Sequence, residues 1–245
     1  GTEMSAHAVQ VSLMVEDYPE PIEGVKARAD GYCFGRDSVE EAITAIARGE
    51  MVVVVDDMDR ENEGDFIMAA DQCTPLDMAQ IIRYSSGVVC IALEDDRLEE
   101  LLLPAMVTNN EDPKGTAFTV TVDASKQHGI TTGISATDRS KTVQMLADPK
   151  FEAKDFSRPG HILPLRARPN GVLSRDGHTE AAVDLSRLAG RQPAGILCEI
   201  VSEESPIEMM RLPEIKRFCK RHGYVLTSIV DIAQYRRDTE SSSSS

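Results

Sequence analysis

The feature that most constrains the fold of this chain is the run Met51-Val-Val-Val-Val55, which is apolar at every position. A strand with one face in water alternates apolar and polar residues, so an unbroken β-branched run indicates a strand covered on both faces. Helical and strand-like patterns alternate along the rest of the chain without a linker. We therefore expect an α+β fold, with a single three-layer α/β/α domain built around a mixed β-sheet.

This domain is predicted to occupy residues 37–237. Residues 1–36 are polar, rich in small side chains and without a clear period, so we expect a loosely ordered N-terminal arm. The C-terminal segment 238–245 ends in a run of serines, which is typical of a disordered tail.

Short motifs predict some element boundaries. The pattern Ser38-Val-Glu-Glu41 is a capping box, which predicts the start of a helix, and Gly49 is a typical helix stop. Residues 116–123 alternate in the manner of a strand. The loop 131–139 leads into a further helix, for which we expect Asp138 to be the cap.

The charge of the chain limits its partners. With 26 basic and 41 acidic residues the formal net charge is −15, and such a field repels nucleic acid and anionic membranes. Trp is absent and aromatic residues make up only 4%, which leaves little surface for base stacking. We expect no nucleic-acid partner and no membrane partner. A phosphorylated ligand has to be captured locally, by arginines, a helix N-terminus or a metal ion.

The cysteines are odd in number and far apart, and they form no C-x-x-C pair: Cys33, Cys73, Cys90, Cys198 and Cys219. This pattern indicates neither a disulfide framework nor a zinc knuckle. No apolar run reaches the ~20 residues that span a bilayer, and no secretory leader is seen. We therefore expect reduced thiols and a cytoplasmic location. Cys90 is either redox-sensitive near a site or simply buried in a strand.

The stretch Asp56-Asp-Met-Asp-Arg-Glu-Asn-Glu-Gly-Asp65 carries six carboxylates and one arginine directly after the buried strand. Packed carboxylates repel one another unless a cation lies among them, and oxygen-rich clusters suit Mg²⁺ or Ca²⁺. A solvated acidic turn is the alternative, and it stays open. An EF-hand is excluded, because counting from Asp59 puts Ala70 where a bidentate Glu is required.

A second candidate region is Ser174-Arg-Asp-Gly-His-Thr-Glu180, which precedes a helix. Arg175, Gly177 and Thr179 then lie at a helix N-terminus, whose free N–H groups and positive dipole suit a phosphate. Thr179 as a simple N-cap is the alternative. The His-x-Glu pattern also occurs in zinc deaminases, but their Pro-Cys-x-x-Cys partner is missing here.

Two further positions carry polar side chains in apolar surroundings. Glu199 lies inside the run Gly195–Val201, where a carboxylate is costly unless it is paired or functional. His161 follows a turn and precedes an apolar segment. A lone histidine in that position is more often structural than catalytic.

Seven motifs, in order between residues 38 and 235, resemble those of the 3,4-dihydroxy-2-butanone 4-phosphate synthase family of riboflavin biosynthesis. The motifs are Asp56–Asp65, Tyr84–Gly87, Thr116–Val120, Thr131–Gly133, Arg158–His161, Gly177–Ala181 and Ala194–Glu199. Many relatives are fused to GTP cyclohydrolase II. This chain stops short of that part and lacks its zinc-cysteine cluster, so the synthase alone is expected.

The resemblance implies conversion of D-ribulose 5-phosphate into L-3,4-dihydroxy-2-butanone 4-phosphate and formate, with Mg²⁺ as cofactor and Mn²⁺ as a substitute. The reaction passes through an enediolate, a dehydration and a skeletal rearrangement. Transferred by position, Glu61 and His178 are the implied metal ligands. His161, Glu199, Asp56 and Glu63 are the implied catalytic residues, the first two as the acid–base pair. Substrate contacts are implied for Arg60, Glu61, Asp65, Thr132, Arg175, Asp176, Gly177, His178, Thr179 and Glu199.

The resemblance further implies a homodimer with sites near the subunit interface. Two rival functions remain. A divalent-ion or nucleotide-binding protein of a YrdC-like three-layer architecture needs the acidic loop but has no use for His161 and Glu199. A pentose phosphate isomerase also works through an enediolate but releases no formate.

Overall fold

The computed structural model describes residues 25–243. Within them, one mixed sheet has the strand order β4-β5-β3-β6-β2-β1-β7. The strands are β1 (Val52–Val55), β2 (Gly64–Ala69), β3 (Cys90–Leu93), β4 (Val122–Ala124), β5 (Phe156–Arg166), β6 (Ala194–Glu199) and β7 (Val225–Ser228). The α-helices are α1 (Arg36–Ala47), α2 (Pro75–Tyr84), α3 (Asp95–Glu100), α4 (Ala136–Ala147), α5 (His178–Leu188), α6 (Leu212–His222) and α7 (Ile229–Ser243).

The sheet is mixed and covered on both faces, as predicted. Strand β1 pairs parallel with β7 and antiparallel with β2, while β3 pairs parallel with β5 and antiparallel with β6. One face packs against α2, α4 and α6, and the other against α1, α5 and α7. Val53 and Val54 belong to opposite apolar layers, which explains why the run around them has no polar member.

Helix α5 lies directly against the sheet because β6 has no side chain at Gly195. A Cβ built there would come 2.5 Å from the main-chain oxygen of Ala182. The helix is buried from His178 to Ser186, so it is a central element of its layer. Its N-terminus is thereby held at the edge where β1 and β6 end and β2 begins.

The first helix differs from its prediction. Helix α1 begins at Arg36, after Gly35, and has no side-chain cap. Ser38 lies in the first turn, where its hydroxyl donates to the Gly35 carbonyl and pairs with the Thr227 hydroxyl at 2.8 Å. The capping-box interpretation was therefore wrong, because a tertiary contact with β7 takes the serine. Gly49 confirms the predicted stop, with a φ of +81° just beyond the helix.

The predicted terminal segments differ in part from the structure. Residues 1–24 of the predicted arm lie outside the described residues. In the remainder, the main-chain N–H groups of Cys33, Phe34 and Gly35 donate to the buried Asp231 carboxylate. Helix α7 continues through Ser243, so the tail predicted from residue 238 is helical up to that point. Ser244 and Ser245 lie outside the described residues.

No helix among the described residues is long and apolar enough to cross a membrane.

Adding one methyl group at Gly195 tests the docking of α5. We expect Gly195→Ala to lower the free energy of unfolding by about 2–3 kcal/mol, because a well-packed layer accepts an extra carbon only by shifting. Chemical denaturation measures the change, with an unchanged denaturant slope as evidence that both variants unfold in the same way.

Gly190→Ala is the matched control. A Cβ at Gly190 meets open space, and only its φ of +70° opposes the substitution. We expect a loss of about 1 kcal/mol there. Equal losses in the two variants would show that α5 does not depend on the missing side chain of Gly195.

Candidate functional site

The acidic loop is folded around the buried carboxylate of Asp56, which follows the last residue of β1. One oxygen accepts the main-chain N–H of Glu63 at 2.9 Å, and the other accepts that of Glu61 at 2.9 Å. The second oxygen also accepts the Arg60 guanidinium at 3.0 Å. The loop is thus a packed structure rather than a freely solvated turn, and it presents the side chains of Glu61 and Glu63 in set directions.

Arg211, which no sequence motif marked, ties this loop to α6. Its guanidinium donates to the main-chain oxygens of Glu61 at 3.0 Å and Asn62 at 2.6 Å. The same group lies 4.0 Å from the Glu63 carboxylate. Asn62 has a left-handed φ of 54°, and Arg211 binds the carbonyl oxygen of this same residue. An isolated arginine before a helix gives no signal in sequence, because its partners are main-chain atoms far along the chain.

Three neighbouring strands place two more candidate carboxyl groups side by side. Asp65 of β2 lies opposite Val54 of β1 and opposite Glu199 of β6. Opposed residues of antiparallel strands project from the same face of a sheet, with Cβ atoms about 5 Å apart. Asp65 and Glu199 therefore point together toward the layer that contains α5.

His178 is the first residue of α5 and is buried beside these carboxylates. Its Nε2 lies 3.1 Å from the Val54 carbonyl oxygen, which can only accept, so this nitrogen carries a proton. Nδ1 is thereby aimed at Glu61, at 3.6 Å, and at Asp65, at 3.8 Å. Metal-binding histidines are typically oriented in this way, through a hydrogen bond from the nitrogen that does not bind the metal.

These residues fit a divalent cation. Asp56, Glu61 and His178 each offer a ligand atom, and these atoms lie within 4.8 Å of one another. The Oδ1 atom of Asp65 is buried and has no hydrogen-bond partner among the described residues. An orphaned buried carboxylate oxygen is costly, and a hard cation or its water is the natural partner for it. The group therefore supports the implied ligands Glu61 and His178 and adds Asp65 beside them.

The pKa values in this group reflect burial and mutual charge. Hydrogen bonding to His178 and the charge of Arg60 outweigh burial and lower the pKa of Glu61 to about 2. Burial raises the pKa of Asp65 to about 8. For His178, burial alone would lower the pKa, but Asp65, Glu61 and Asp56 together raise it to about 9. A bound cation would favour the deprotonated forms of both Asp65 and His178.

Glu199 is held by Ser86, which the sequence analysis placed in a motif without assigning it a role. The Ser86 hydroxyl donates to one Glu199 carboxylate oxygen at 2.6 Å, and it accepts the main-chain N–H of Val88 at 3.1 Å. The main-chain N–H of Ser86 donates to the Glu199 carbonyl at 2.8 Å. One carboxylate oxygen of Glu199 is therefore engaged, while the other has no hydrogen bond from the described residues.

His161 of β5 forms a pair with Asp123 of β4, a residue that the sequence analysis missed. Their side chains meet at 2.6 Å, and Asp123 also accepts the main-chain N–H of His161 at 2.8 Å. The loop carrying the exposed Thr132 lies over this pair, since a Cβ at Gly133 would come 2.8 Å from His161 Nδ1. His161 is two strands away from Glu199, which corresponds to about 10 Å.

The predicted phosphate residues lie around the N-terminus of α5. Gly177 is the N-cap, so the N-cap alternative for Thr179 was wrong, and Thr179 is buried in the first turn. Arg175 donates to the buried Glu180 at 2.7 Å and to Thr116 at 3.3 Å. Asp176 is exposed, 3.9 Å from the Arg60 guanidinium. These positions therefore lie together at the N-terminal end of α5, next to Glu61, Asp65 and His178.

Helix α4 has a different cap from the one predicted. Asp138 does not cap α4, because Ser135 does so by accepting the Asp138 N–H. The Asp138 carboxylate instead accepts the N–H groups of Thr131 and Gly133 and shapes their loop.

Cys90 is buried, and burial raises the pKa of its thiol well above the usual value. A thiol held in its protonated form is poorly reactive, so burial in the strand is the better account of Cys90.

Comparisons with known proteins agree with this geometry. The sequence model of the 3,4-dihydroxy-2-butanone 4-phosphate synthase family matches residues 40–235. A crystal structure of 3,4-dihydroxy-2-butanone 4-phosphate synthase in complex with two magnesium ions has a TM-score of 0.78 at 44% identity, over 82% of this chain and 97% of that chain. The synthase of Candida albicans has a TM-score of 0.74 at 50% identity, over 80% of this chain and 96% of that one.

Curated relatives are longer proteins. The riboflavin biosynthesis protein RibBA of Salinispora arenicola is 53% identical over 203 residues, which cover 83% of this chain and 47% of that protein. The protein of the same name from Mycobacterium tuberculosis is 52% identical over 204 residues, or 83% of this chain and 48% of that protein. The chain therefore spans about half the length of the curated relatives it matches.

Stabilisation by Mg²⁺ tests the cation group without measuring activity. At a concentration about 100 times the dissociation constant, we expect Mg²⁺ to raise the free energy of unfolding by about 2.7 kcal/mol. Glu61→Gln should lose most of this increment, because an amide cannot supply the anionic oxygen. Chemical denaturation with and without Mg²⁺ measures both values.

Asp59→Asn is the matched control, since Asp59 belongs to the same loop but is exposed. It should keep the full increment. If both variants lost it equally, Mg²⁺ would be acting on the overall charge of the loop and not at a defined site.

Proposed function

The chain belongs to the 3,4-dihydroxy-2-butanone 4-phosphate synthase family, and we propose that it converts D-ribulose 5-phosphate into L-3,4-dihydroxy-2-butanone 4-phosphate and formate. The observation that carries this proposal is the meeting of Glu61 and Asp65 at the ring of His178, with Glu199 opposite Asp65. It combines a cation seat with a carboxylate poised for proton transfer. The reaction of a ketose phosphate through an enediolate needs a cation and a proton-transferring group at the same site.

Glu61 and His178 would hold Mg²⁺, or Mn²⁺ in its place, with Asp65 alongside. The cation supplies a Lewis acid that stabilises the negative charge of an enediolate. The Val54 carbonyl oxygen orients His178 by accepting a hydrogen bond from its ring. The Asp56 carboxylate orients Glu61 by accepting its main-chain N–H.

The proton transfers would be divided between Glu199 and His161. Ser86 engages one oxygen of Glu199 and leaves the other available to the substrate. Glu63 is suited to carry a proton, because burial and then the charges of Glu61 and Glu199 raise its pKa. For Asp56 we propose a positioning role in place of the implied catalytic one, because both its oxygens accept hydrogen bonds within the loop.

The substrate phosphate would lie at the N-terminus of α5. Free N–H groups and the helix dipole favour an anion there. The missing side chain at Gly177 makes room for the Arg175 guanidinium beside this helix end. Arg175 and Thr179 stand beside this end. Thr132 lies on the loop over the His161–Asp123 pair, and its implied phosphate contact stays a prediction. Arg60 and Asp176 lie 3.9 Å apart beside this helix end, and their side chains can bind the hydroxyl groups of the sugar.

Formate release tests the reaction. Purified protein with D-ribulose 5-phosphate and Mg²⁺ should yield formate and a four-carbon phosphate in equal amounts, and chelation should stop both. Glu199→Gln should lower kcat by about 100-fold or more, the usual contribution of general acid–base catalysis, while the substrate still binds. A coupled formate assay and binding calorimetry measure the two quantities.

Glu203→Gln is the control for this variant, because Glu203 is exposed and pairs with Arg221 at the surface. It should keep full activity. Consumption of the ketose without formate would replace the proposal with the isomerase. Turnover by Glu199→Gln at the rate of the unchanged protein would remove Glu199 from the mechanism.

We also propose that the protein is a homodimer. The apolar side chains of Val88, whose N–H binds Ser86, and of Ile134, next to Gly133, are 44% and 50% exposed. A second copy would cover them and narrow the opening between the two catalytic positions. Light scattering should give twice the mass of the chain, and Ile134→Asp should shift the equilibrium toward the monomer. A monomer at all concentrations would contradict this proposal.

A cytoplasmic location is proposed on the state of the thiols, since all five cysteines are free. Fractionation of the source cells checks it, and recovery in an extracellular fraction would contradict it.

A further inference from the structure

We propose that Arg236 of the C-terminal helix α7 is a positioning residue for substrate binding, which fixes the loop that carries Arg175. This loop, residues 167–177, connects β5 to α5 and is called the entry loop. The inference rests on the proposed function for its consequence, since Arg175 is one of the residues proposed to hold the substrate phosphate. Inorganic phosphate as a probe tests it without turnover.

Two buried carboxylates of α5 tie the entry loop to that helix. Glu180 and Asp184 are four residues apart, so they project from the same face of α5. Glu180 accepts the main-chain N–H of Arg168 at 2.9 Å, and Asp184 accepts that of Val172 at 2.9 Å. Their side chains are 1% and 2% exposed. The start and the middle of the loop are therefore each held by one turn of the helix.

The end of the loop carries Arg175, whose guanidinium has fixed partners. It donates to the second carboxylate oxygen of Glu180 at 2.7 Å and to the main-chain oxygen of Lys114 at 3.2 Å. It occupies the space left by the missing side chain at Gly177, where a Cβ would come 2.1 Å from it. These contacts fix the guanidinium only. The main chain from which Arg175 extends is placed by the loop before it.

Arg236 clamps the sharpest bend of the loop onto Asp184. Its Nη1 donates to the main-chain oxygen of Asn170 at 2.7 Å and to the Asp184 carboxylate at 2.9 Å, and its Nη2 donates to the Asn170 side-chain oxygen at 3.1 Å. Asn170 and Gly171 both have left-handed φ values, of 68° and 56°. A Cβ at Gly171 would come 2.1 Å from Asp184 Oδ1. The bend thus lies directly on the buried carboxylate, and one arginine joins the two.

Packing alone does not hold this bend. Pro169 and Asn170 line a cavity of about 180 Å³, with Arg187 of α5 among the residues on its other walls. A loop that becomes ordered only when a ligand arrives loses conformational entropy at that moment, which weakens binding. We therefore expect Arg236 to act on the affinity for phosphate and not on the proton transfers assigned to Glu199 and His161.

Lysine in place of Arg236 keeps the charge and removes the fork. An ammonium group can still neutralise the buried Asp184, but it cannot reproduce the planar guanidinium geometry that reaches both residues. We expect Arg236→Lys to raise KM for D-ribulose 5-phosphate about tenfold and to leave kcat within about twofold, as for a weakened charge-assisted hydrogen bond to the substrate. Affinity for inorganic phosphate, measured from the rise of the thermal midpoint with phosphate concentration, should fall by a similar factor. The stabilisation by Mg²⁺ should be retained.

Arg97→Lys is the matched control. The Arg97 side chain is 15% exposed, against 12% for Arg236. It also donates to main-chain oxygens of a loop, those of Asp148 at 2.8 Å and Phe151 at 3.0 Å. That loop follows α4 and does not lead to α5. The control should lose stability as Arg236→Lys does and keep both KM and the affinity for phosphate.

Asn170→Gly tests the clamp with the arginine in place. Glycine adopts the left-handed φ of 68° without strain, and the change removes only the side-chain contact with Nη2. KM should rise in the same direction, by about threefold, because one hydrogen bond to the clamp is lost. This variant decides the question on the same readouts if Arg236→Lys does not fold.

The outcomes separate this inference from the proposed function. An unchanged KM and phosphate affinity in Arg236→Lys would overturn the inference, and so would an equal change of both in Arg97→Lys. A loss of kcat and of Mg²⁺ stabilisation together with KM would also overturn it, because a general loss of structure has that effect. Absence of formate from the unchanged protein would count against the proposed function, and the phosphate affinities would still decide the role of Arg236.

Discussion

The buried carboxylate of Asp56 is the contact on which the rest of the site depends. A negative charge taken out of water is costly unless donors surround it, and here the N–H groups of Glu61 and Glu63 and the Arg60 guanidinium do so. These donors can reach it only when the loop after β1 is folded back on itself. The same folding turns the Glu61 side chain toward His178. Satisfying one buried charge therefore assembles the cation group.

The sheet and α5 supply the other half of the geometry. The antiparallel pairings of β2 set Asp65 beside Glu199, and the missing side chain at Gly195 lets α5 approach the strands. His178 then meets the Val54 carbonyl at the end of β1. A shift of any of these strands by one residue would turn its side chains to the opposite face. Strand register therefore sets the position of Asp65, and helix docking sets that of His178, while the loop sets only that of Glu61.

Much of this protein was predictable from local patterns. The apolar run of β1 indicated a sheet covered on both faces, and the density of acidic residues marked the loop from Asp56 to Asp65. The capping box at Ser38 was wrong because a tertiary contact with Thr227 takes that side chain. The cap at Asp138 was wrong because the Asp138 carboxylate binds the preceding loop. Asp123, Ser86 and Arg211 were missed as partners of the site. Each is joined to its partner across a long stretch of chain, at separations of 38, 113 and 150 residues.

The sequence by itself determined the layered α+β architecture, the family and a set of candidate site residues, because periodicity and short motifs are local properties. Only the tertiary structure decided which of those side chains are free to act. Asp56 proved to be occupied by its own loop, whereas an oxygen of Asp65 was left without a hydrogen-bond partner among the described residues. Hydrogen-bond satisfaction depends on which distant atoms fold together, and burial sets what an unsatisfied group costs. Neither can be read from neighbours along the chain.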